Sequence, residues 1–247
     1  MSIQGSAVPP EPMHGNAAPV EPMHGNAAHL ALEDAARAEL YALLARLFYQ
    51  GPDQALLRMI ACADSLLQPG DTSASQSQST ASAQLHSAWQ ALREAAAGEN
   101  LAPVIRQEYE EVFVGVGKAE VTPYLSHYLD GMPGDRFLVR LRDALAALGL
   151  ARAAGATEPE DHVSGLFDTM RHLILRSARV GDKDADAGSD DHAATQQQKR
   201  FFEEFVRDAA LKFCEAAQQS HKTVFYKRVS RIAESLLKLE SEAFAMV

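Results

Sequence analysis

Gln107 to Gly131 reads QEYEEVFVGVGKAEVTPYLSHYLDG, and the fold class turns on how it is read. Ile105, Tyr109, Val112 and Phe113 recur at helical spacing, with Glu108, Glu110 and Glu111 on other faces. Gly115 and Gly117 follow the last apolar residue, the usual signal for a helix end. Pro123, Tyr124, Ser126 and Tyr128 then crowd two phenols, a hydroxyl and a rigid ring into a connector. Aromatic rings are unfavourable in water. The tyrosines therefore either pack between helices or line a groove with their hydroxyls offered to a ligand. Residue types alone leave both readings open.

Working outward, the rest of the chain also repeats at threes and fours. Toward the N-terminus, Leu30, Leu40, Leu43, Leu44, Leu47 and Phe48 form one stripe up to Gly51-Pro52. A second helix is expected over 53–67, a third around Leu85, Trp89 and Leu92, and a fourth from Pro103 into the central stretch. Downstream, Phe137, Leu138, Leu141, Leu145 and Leu148 mark another helix. Thr157-Glu158-Pro159-Glu160 reads as a capping box opening a helix through Val163, Leu166, Phe167, Met170 and Ile174. Phe201 and Phe202 begin a further helix, and Phe225 to Leu237 a last one. No period-two alternation competes. The expected fold is all-α: about eight helices in one bundle over 29–247.

Three segments fall outside that core. Residues 1–28 carry EPMHGNAA twice and read as a disordered tail. Its Glu11-x-x-His14 and Glu21-x-x-His24 match a di-iron ligand spacing, but Pro12 and Gly15 argue against the helix that chemistry needs. The serine- and glutamine-rich stretch 68–83 and the acidic stretch 181–196 are expected to be mobile polar loops.

The chain has 247 residues, 47% of them hydrophobic, and a net charge of −10. That balance excludes general nucleic-acid binding, which needs a basic face, and suits a basic peptide partner. Cys62 and Cys214 stand far apart without metal-ligand spacing and are expected as two small buried thiols. No membrane span and no secretory signal are read, so the cytoplasm is the expected location. Gly115-x-Gly117-Lys118 lacks the spacing and the Ser or Thr of a phosphate loop. Asp161-His162 is the best acid–base pair. Adjacent helix residues do not face each other, so a dyad is not expected. The alternatives are a dipole-satisfying Asp beside a packed or solvated His, carboxylates at Glu158 and Asp161 offered to a guanidinium, or a helical metal protein or enzyme built on Asp161, His162 and nearby carboxylates.

Two segments together resemble the TorD/DmsD family of molybdoenzyme maturation chaperones, the redox enzyme maturation proteins. They are Phe113-x-Gly115-x-Gly117 followed by Pro123-Tyr124-x-Ser126-x-Tyr128, and Glu158-Pro159-x-Asp161-His162. The resemblance implies an all-α fold, a binding role rather than turnover, and no cofactor or metal of the chaperone's own. It implies as partners a twin-arginine signal peptide and the apo-catalytic subunit of a molybdenum or tungsten oxidoreductase, with the protein a monomer or a dimer. It implies signal-peptide binding at Tyr109, Phe113, Pro123, Tyr124, Ser126, Tyr128, Glu158, Asp161 and His162. Val116 and Thr122 stand where many members have proline. The GVGK variant is similar to members serving formate dehydrogenase, with an S- or N-oxide reductase as the other candidate client.

Overall fold

In a computed structural model, residues 32–63, 80–115, 117–129, 134–152, 157–180 and 187–247 are described. The tail 1–28 and residues 68–79 and 181–186 of the two expected loops lie outside them. Among the described residues nine α-helices run in order: α1 (Leu32–Tyr49), α2 (Gln54–Cys62), α3 (Thr80–Ala96), α4 (Leu101–Tyr109), α5 (Gly134–Ala147), α6 (Val163–Val180), α7 (Ala187–Phe201), α8 (Arg207–Gln219) and α9 (Phe225–Ala245). A π turn, Phe202–Val206, joins α7 to α8 as one rod, so eight rods make up the described bundle. The expected all-α class holds.

Helix α1 packs mainly on α6, and α9 packs on α3 and α8. The stripe predicted for α1 is the one buried: Leu40, Leu44, Leu47 and Phe48 all face the core. Phe48 is the hub. Its ring lies 5.1 Å from Phe213, 5.9 Å from Phe113, 6.1 Å from Tyr226 and 6.2 Å from Phe167. Such edge and tilted contacts add to the area buried by each ring. Trp89 sits fully in the core between α3 and its neighbours.

Two caps fix the ends that matter. Asp53 accepts the Leu56 N–H at 2.7 Å and starts α2. Helix α9 has no local cap. Glu108 of α4 instead accepts the N–H groups of Val224, Phe225 and Tyr226 at 2.9, 3.0 and 2.8 Å. A carboxylate there satisfies orphan donors and meets the positive end of the helix dipole.

Several expectations are corrected. Helix α6 starts at Val163, not at Thr157. Glu160 does not close a capping box but pairs with Arg142 at 2.9 Å. The polar stretch 68–83 turns helical at Thr80, and the acidic stretch 181–196 at Ala187. In α7, Lys199 and Arg200 lie in the last turn, where a helix dipole favours cations. Phe201 and Phe202 lie inside the α7–α8 rod rather than at a helix start. Cys214 is buried as expected, but Cys62, on the last turn of α2, is exposed.

Candidate functional site

The central stretch makes its turn in two steps. Helix α4 widens into a π turn, Glu110–Val114, that ends when the Gly115 N–H donates to the Glu110 carbonyl at 2.7 Å. Gly115 has φ +65°, and a Cβ there would collide with the Lys118 carbonyl, so glycine is required. The chain doubles back until the Val121 N–H donates to the Val112 carbonyl at 3.0 Å. A short 3₁₀ turn, Leu125–Tyr128, then carries the serine and the second tyrosine of the motif.

Here the two segments meet. The Leu125 N–H donates to the Asp161 carbonyl and the Val163 N–H to the Pro123 carbonyl, both at 2.9 Å. They frame an antiparallel bridge between Tyr124 and His162, the sole β pairing among the described residues. Side chains repeat the link. Ser126 donates to Asp161 Oδ2 at 2.5 Å, and the Tyr124 hydroxyl donates to Glu158 Oε2 at 2.6 Å. The Tyr124 ring stands edge-on to His162 at 5.5 Å.

The predicted residues separate by burial. Phe113, Pro123, Asp161 and His162 are buried, with Asp161 only 2% and His162 3% exposed. Tyr109, Tyr124, Ser126, Tyr128 and Glu158 are half-buried. Phe113 belongs to the aromatic core, 5.0 Å from Tyr226. The phenol hydroxyls have partners inside the protein. Tyr109 donates to the Tyr49 carbonyl at 2.7 Å, and Tyr128 to the Thr122 carbonyl at 2.9 Å. Both readings of the tyrosine loop thus hold in part: hydroxyls turned inward, ring faces left on a groove. That groove, of about 520 Å³, is lined by Tyr109, Tyr124, Tyr128, Lys118, Glu158 and His162 among others.

Burial, then the bond and charge of Glu158, push the Tyr124 phenol up to about 12. Burial, then the nearby Glu158 charge, also takes Tyr109 up to about 12. Both therefore remain donors across the ordinary pH range, Tyr124 to Glu158 and Tyr109 to the Tyr49 carbonyl. Burial pulls His162 below its ordinary 6.5, against the opposing charges of Glu158 and Asp161. The imidazole has a definite job: its Nδ1 accepts the Ser164 N–H at 3.3 Å and lies 3.0 Å from the Ser164 hydroxyl. The His162 carbonyl accepts from Gly165 and Leu166. His162 is thus the N-cap of α6, with its ring in the place usually taken by Ser or Asp.

Asp161 and His162 serve separate partners and form no dyad. Among the described residues, no group of three or more His, Cys, Asp or Glu side chains is placed to hold a metal. Glu158 differs from both. Tyr124 occupies Oε2, while Oε1 has only a 3.5 Å contact from the Thr157 hydroxyl. It is a half-buried carboxylate with an oxygen left over.

Sequence reasoning missed three residues. Glu108, the cap of α9, looked like one acid in a row of three. Tyr49, at the end of α1, lies 6.3 Å edge-on to His162 and offers its carbonyl to Tyr109. Its position just past an apolar stripe and before Gly51-Pro52 was the available signal. Glu120 holds the α8–α9 turn through Ser220 and, at 3.1 Å, Lys222; nothing local marked it.

Residues 78–215, more than half of the chain and including both segments, match the family model described as nitrate reductase delta subunit. The chain belongs to that family. A curated relative, the chaperone protein TorD of Aliivibrio fischeri (strain ATCC 700601 / ES114), is 26% identical over 140 residues. That match covers 56% of this chain and 63% of the relative, so the chain spans less than two-thirds of the relative's length. The resemblance to the TorD/DmsD family, first drawn from the two motifs, is upheld by both matches. The two segments that carried the resemblance are the two stretches of chain that the Tyr124–His162 bridge holds together.

Proposed function

We propose that this chain is a cytoplasmic maturation chaperone that binds the twin-arginine signal peptide and the apo-form of a molybdenum or tungsten oxidoreductase. In this role it delays export and aids cofactor insertion, without turnover of its own. Its client is a formate dehydrogenase or an S- or N-oxide reductase.

The observation that carries this reading is Glu158. Its carboxylate is oriented by Tyr124 at 2.6 Å, opens on an aromatic groove, and has an oxygen to spare. An arginine guanidinium matches it, because planar N–H donors bond carboxylates strongly and stack on aromatic faces. The other predicted residues divide the work. Asp161, Ser126, Pro123 and His162 lock the two segments together, Phe113 anchors them to the core, and Tyr109, Tyr124 and Tyr128 supply ring surface. The net charge of −10 favours approach of a basic leader. No helix among the described residues is long and apolar enough to cross a membrane.

The test is calorimetric titration with leader peptides of the host's molybdoenzymes, each beside a lysine–lysine version. Binding at about micromolar or tighter, weakened by the lysine exchange, is expected for one leader. Absence of binding to every leader would sink the proposal.

A further inference from the structure

Three hollows lie in sequence around Glu158, and they differ in chemistry. The motif groove of about 520 Å³ is the middle one. On one side it shares Tyr109, Val114, Lys118 and Glu120 with a hollow of about 970 Å³, whose walls include Asp53, Arg106 and Glu110. On the other it shares Glu158 and His162 with a hollow of about 610 Å³ between α1, α5 and α6. That third hollow has Ala42, Ala45, Leu145, Leu150 and Pro159 on its walls. Glu158 is the one carboxylate that lines both the middle and the third hollow.

We propose that a leader peptide lies along this face in one direction: an arginine of the pair on Glu158, the apolar segment that follows it in the α1–α5–α6 hollow, and the residues before the pair in the Arg106–Glu110–Lys118 hollow. The inference rests on the peptide-binding role proposed above and adds its polarity. Charge and water decide it. The acidic anchor sits at the mouth of the apolar hollow, so whatever adjoins the bound arginine on that side enters it. On the rim of that hollow Asp168 pairs with Arg171 at 3.3 Å, Glu160 with Arg142 at 2.9 Å and Arg46 with Asp53 at 3.0 Å, while Arg152 donates to the Glu158 carbonyl at 3.4 Å. In the opposite hollow Asp53 pairs with Arg46 at 3.0 Å and Glu120 with Lys222 at 3.1 Å, but other charges stand unpaired. Among the described residues the side chains of Glu110 and Lys118 have no hydrogen-bond or ion-pair partner. A reversed peptide would press its apolar side chains on those ions and strip them of water, an unfavourable exchange. It would also leave the apolar hollow to the polar residues that precede the pair. A hollow of several hundred Å³ with aliphatic side chains among its walls is of the size that encloses a compact apolar group.

Photo-crosslinking with the full chain tests the direction. A leader carrying benzophenone in its apolar segment is expected to label α1, α5 or α6. One carrying it before the arginine pair is expected to label residues 106–120. The reverse pattern would overturn the inference. Calorimetry gives a second route. Leu145→Asp and Leu150→Asp, both at half-buried positions, are expected to weaken the full leader tenfold or more. A leader truncated just after the pair should bind each variant as it binds wild type. Full-leader affinity within twofold of wild type in both variants would overturn the inference. If either variant fails to fold by circular dichroism, the crosslinks on wild-type protein decide alone. Leader binding without this pattern refutes the direction only, whereas no leader binding to wild type refutes the proposed function with it.

Discussion

Glu240 and Glu158 are the same side chain put to opposite uses. Glu240, on α9, is 1% exposed, and both its oxygens are taken by Arg37, from Nε at 2.6 Å and Nη2 at 2.7 Å. Arg37 also donates to Asp34 at 2.6 Å and to Gln198 at 3.4 Å. Gln198 in turn donates to Ser177 at 2.8 Å, and Ser177 to the Ile174 carbonyl at 2.9 Å. The network ties α1, α6, α7 and α9. Glu158 is half-buried, has one oxygen engaged by Tyr124, and faces a groove. A carboxylate that is buried and fully paired holds helices together. One that is oriented but incompletely paired is available to a partner.

The sharpest way to break this contrast is Glu240→Ala. It leaves the Arg37 guanidinium with Asp34 as its remaining counterion at a mostly buried site and is expected to destabilise the fold by about 3 kcal/mol in denaturant titration, the low end for breaking a buried pair. Leader binding at temperatures where the variant remains folded should be unchanged. A loss under about 1 kcal/mol would mean that the network is not the clamp described. Glu108→Ala comes next. Removing one carboxylate orphans three N–H groups at the start of α9, an expected loss of about 1–2 kcal/mol. Glu108→Gln should recover part of it, since an amide oxygen still accepts.

His162 gives a smaller effect with a definite sign. Its pKa in the fold lies below the ordinary 6.5, so the unfolded chain takes up the proton first as pH falls. Stability is therefore unaffected above the ordinary value and is lost as pH drops through the folded value. The cause is visible: a protonated Nδ1 cannot accept the Ser164 N–H, and a cation opposes the positive end of α6. The loss amounts to about 1.4 kcal/mol for each pH unit separating the two pKa values. His162→Asn keeps a capping oxygen and does not titrate. Denaturation of both proteins from pH 7.5 to 5 should show a steeper loss in wild type. Parallel curves would dismiss the histidine.

The helices were legible because their apolar periodicity survives into the core. The stripe of α6, Leu166, Phe167, Met170, Leu173 and Ile174, is buried residue for residue. The second motif was misread for a physical reason. Thr157 and Glu160 carry a valid local capping signal, and non-local partners outbid it. Arg142 draws Glu160 away, and Pro123 and Leu125 take the backbone of Val163 and Asp161. Hydrogen bonds between segments some 35 residues apart leave no periodic trace in either. The same holds for Glu108, whose three partners lie beyond 115 residues. Pro123, Tyr124, Ser126 and Tyr128 stood out by residue type and Asp161-His162 as an acid–base pair, but only the resemblance to a family joined the two segments into one site. Nothing in their types said that Asp161 would be buried and Glu158 left open.

That last distinction has the smallest expected effect on stability and the most direct bearing on function. Glu158→Gln preserves the side-chain shape, and its amide oxygen can still accept the Tyr124 hydroxyl. Its unfolding free energy should stay within about 0.5 kcal/mol of wild type. Leader affinity should nevertheless fall roughly tenfold to a hundredfold, the value of about 1.5–3 kcal/mol for a hydrogen bond to a charged group. The lysine–lysine leader, which cannot use the planar fork, should lose less. Asp161→Asn is the control, because that carboxylate serves Ser126 inside the fold. It should lower stability more than Glu158→Gln does, and it should alter affinity only as far as it loosens the Tyr124–His162 crossing. If instead Asp161→Asn abolishes binding while Glu158→Gln leaves it intact, the buried carboxylate is the one that meets the arginine. The groove would then have to open before the peptide can enter.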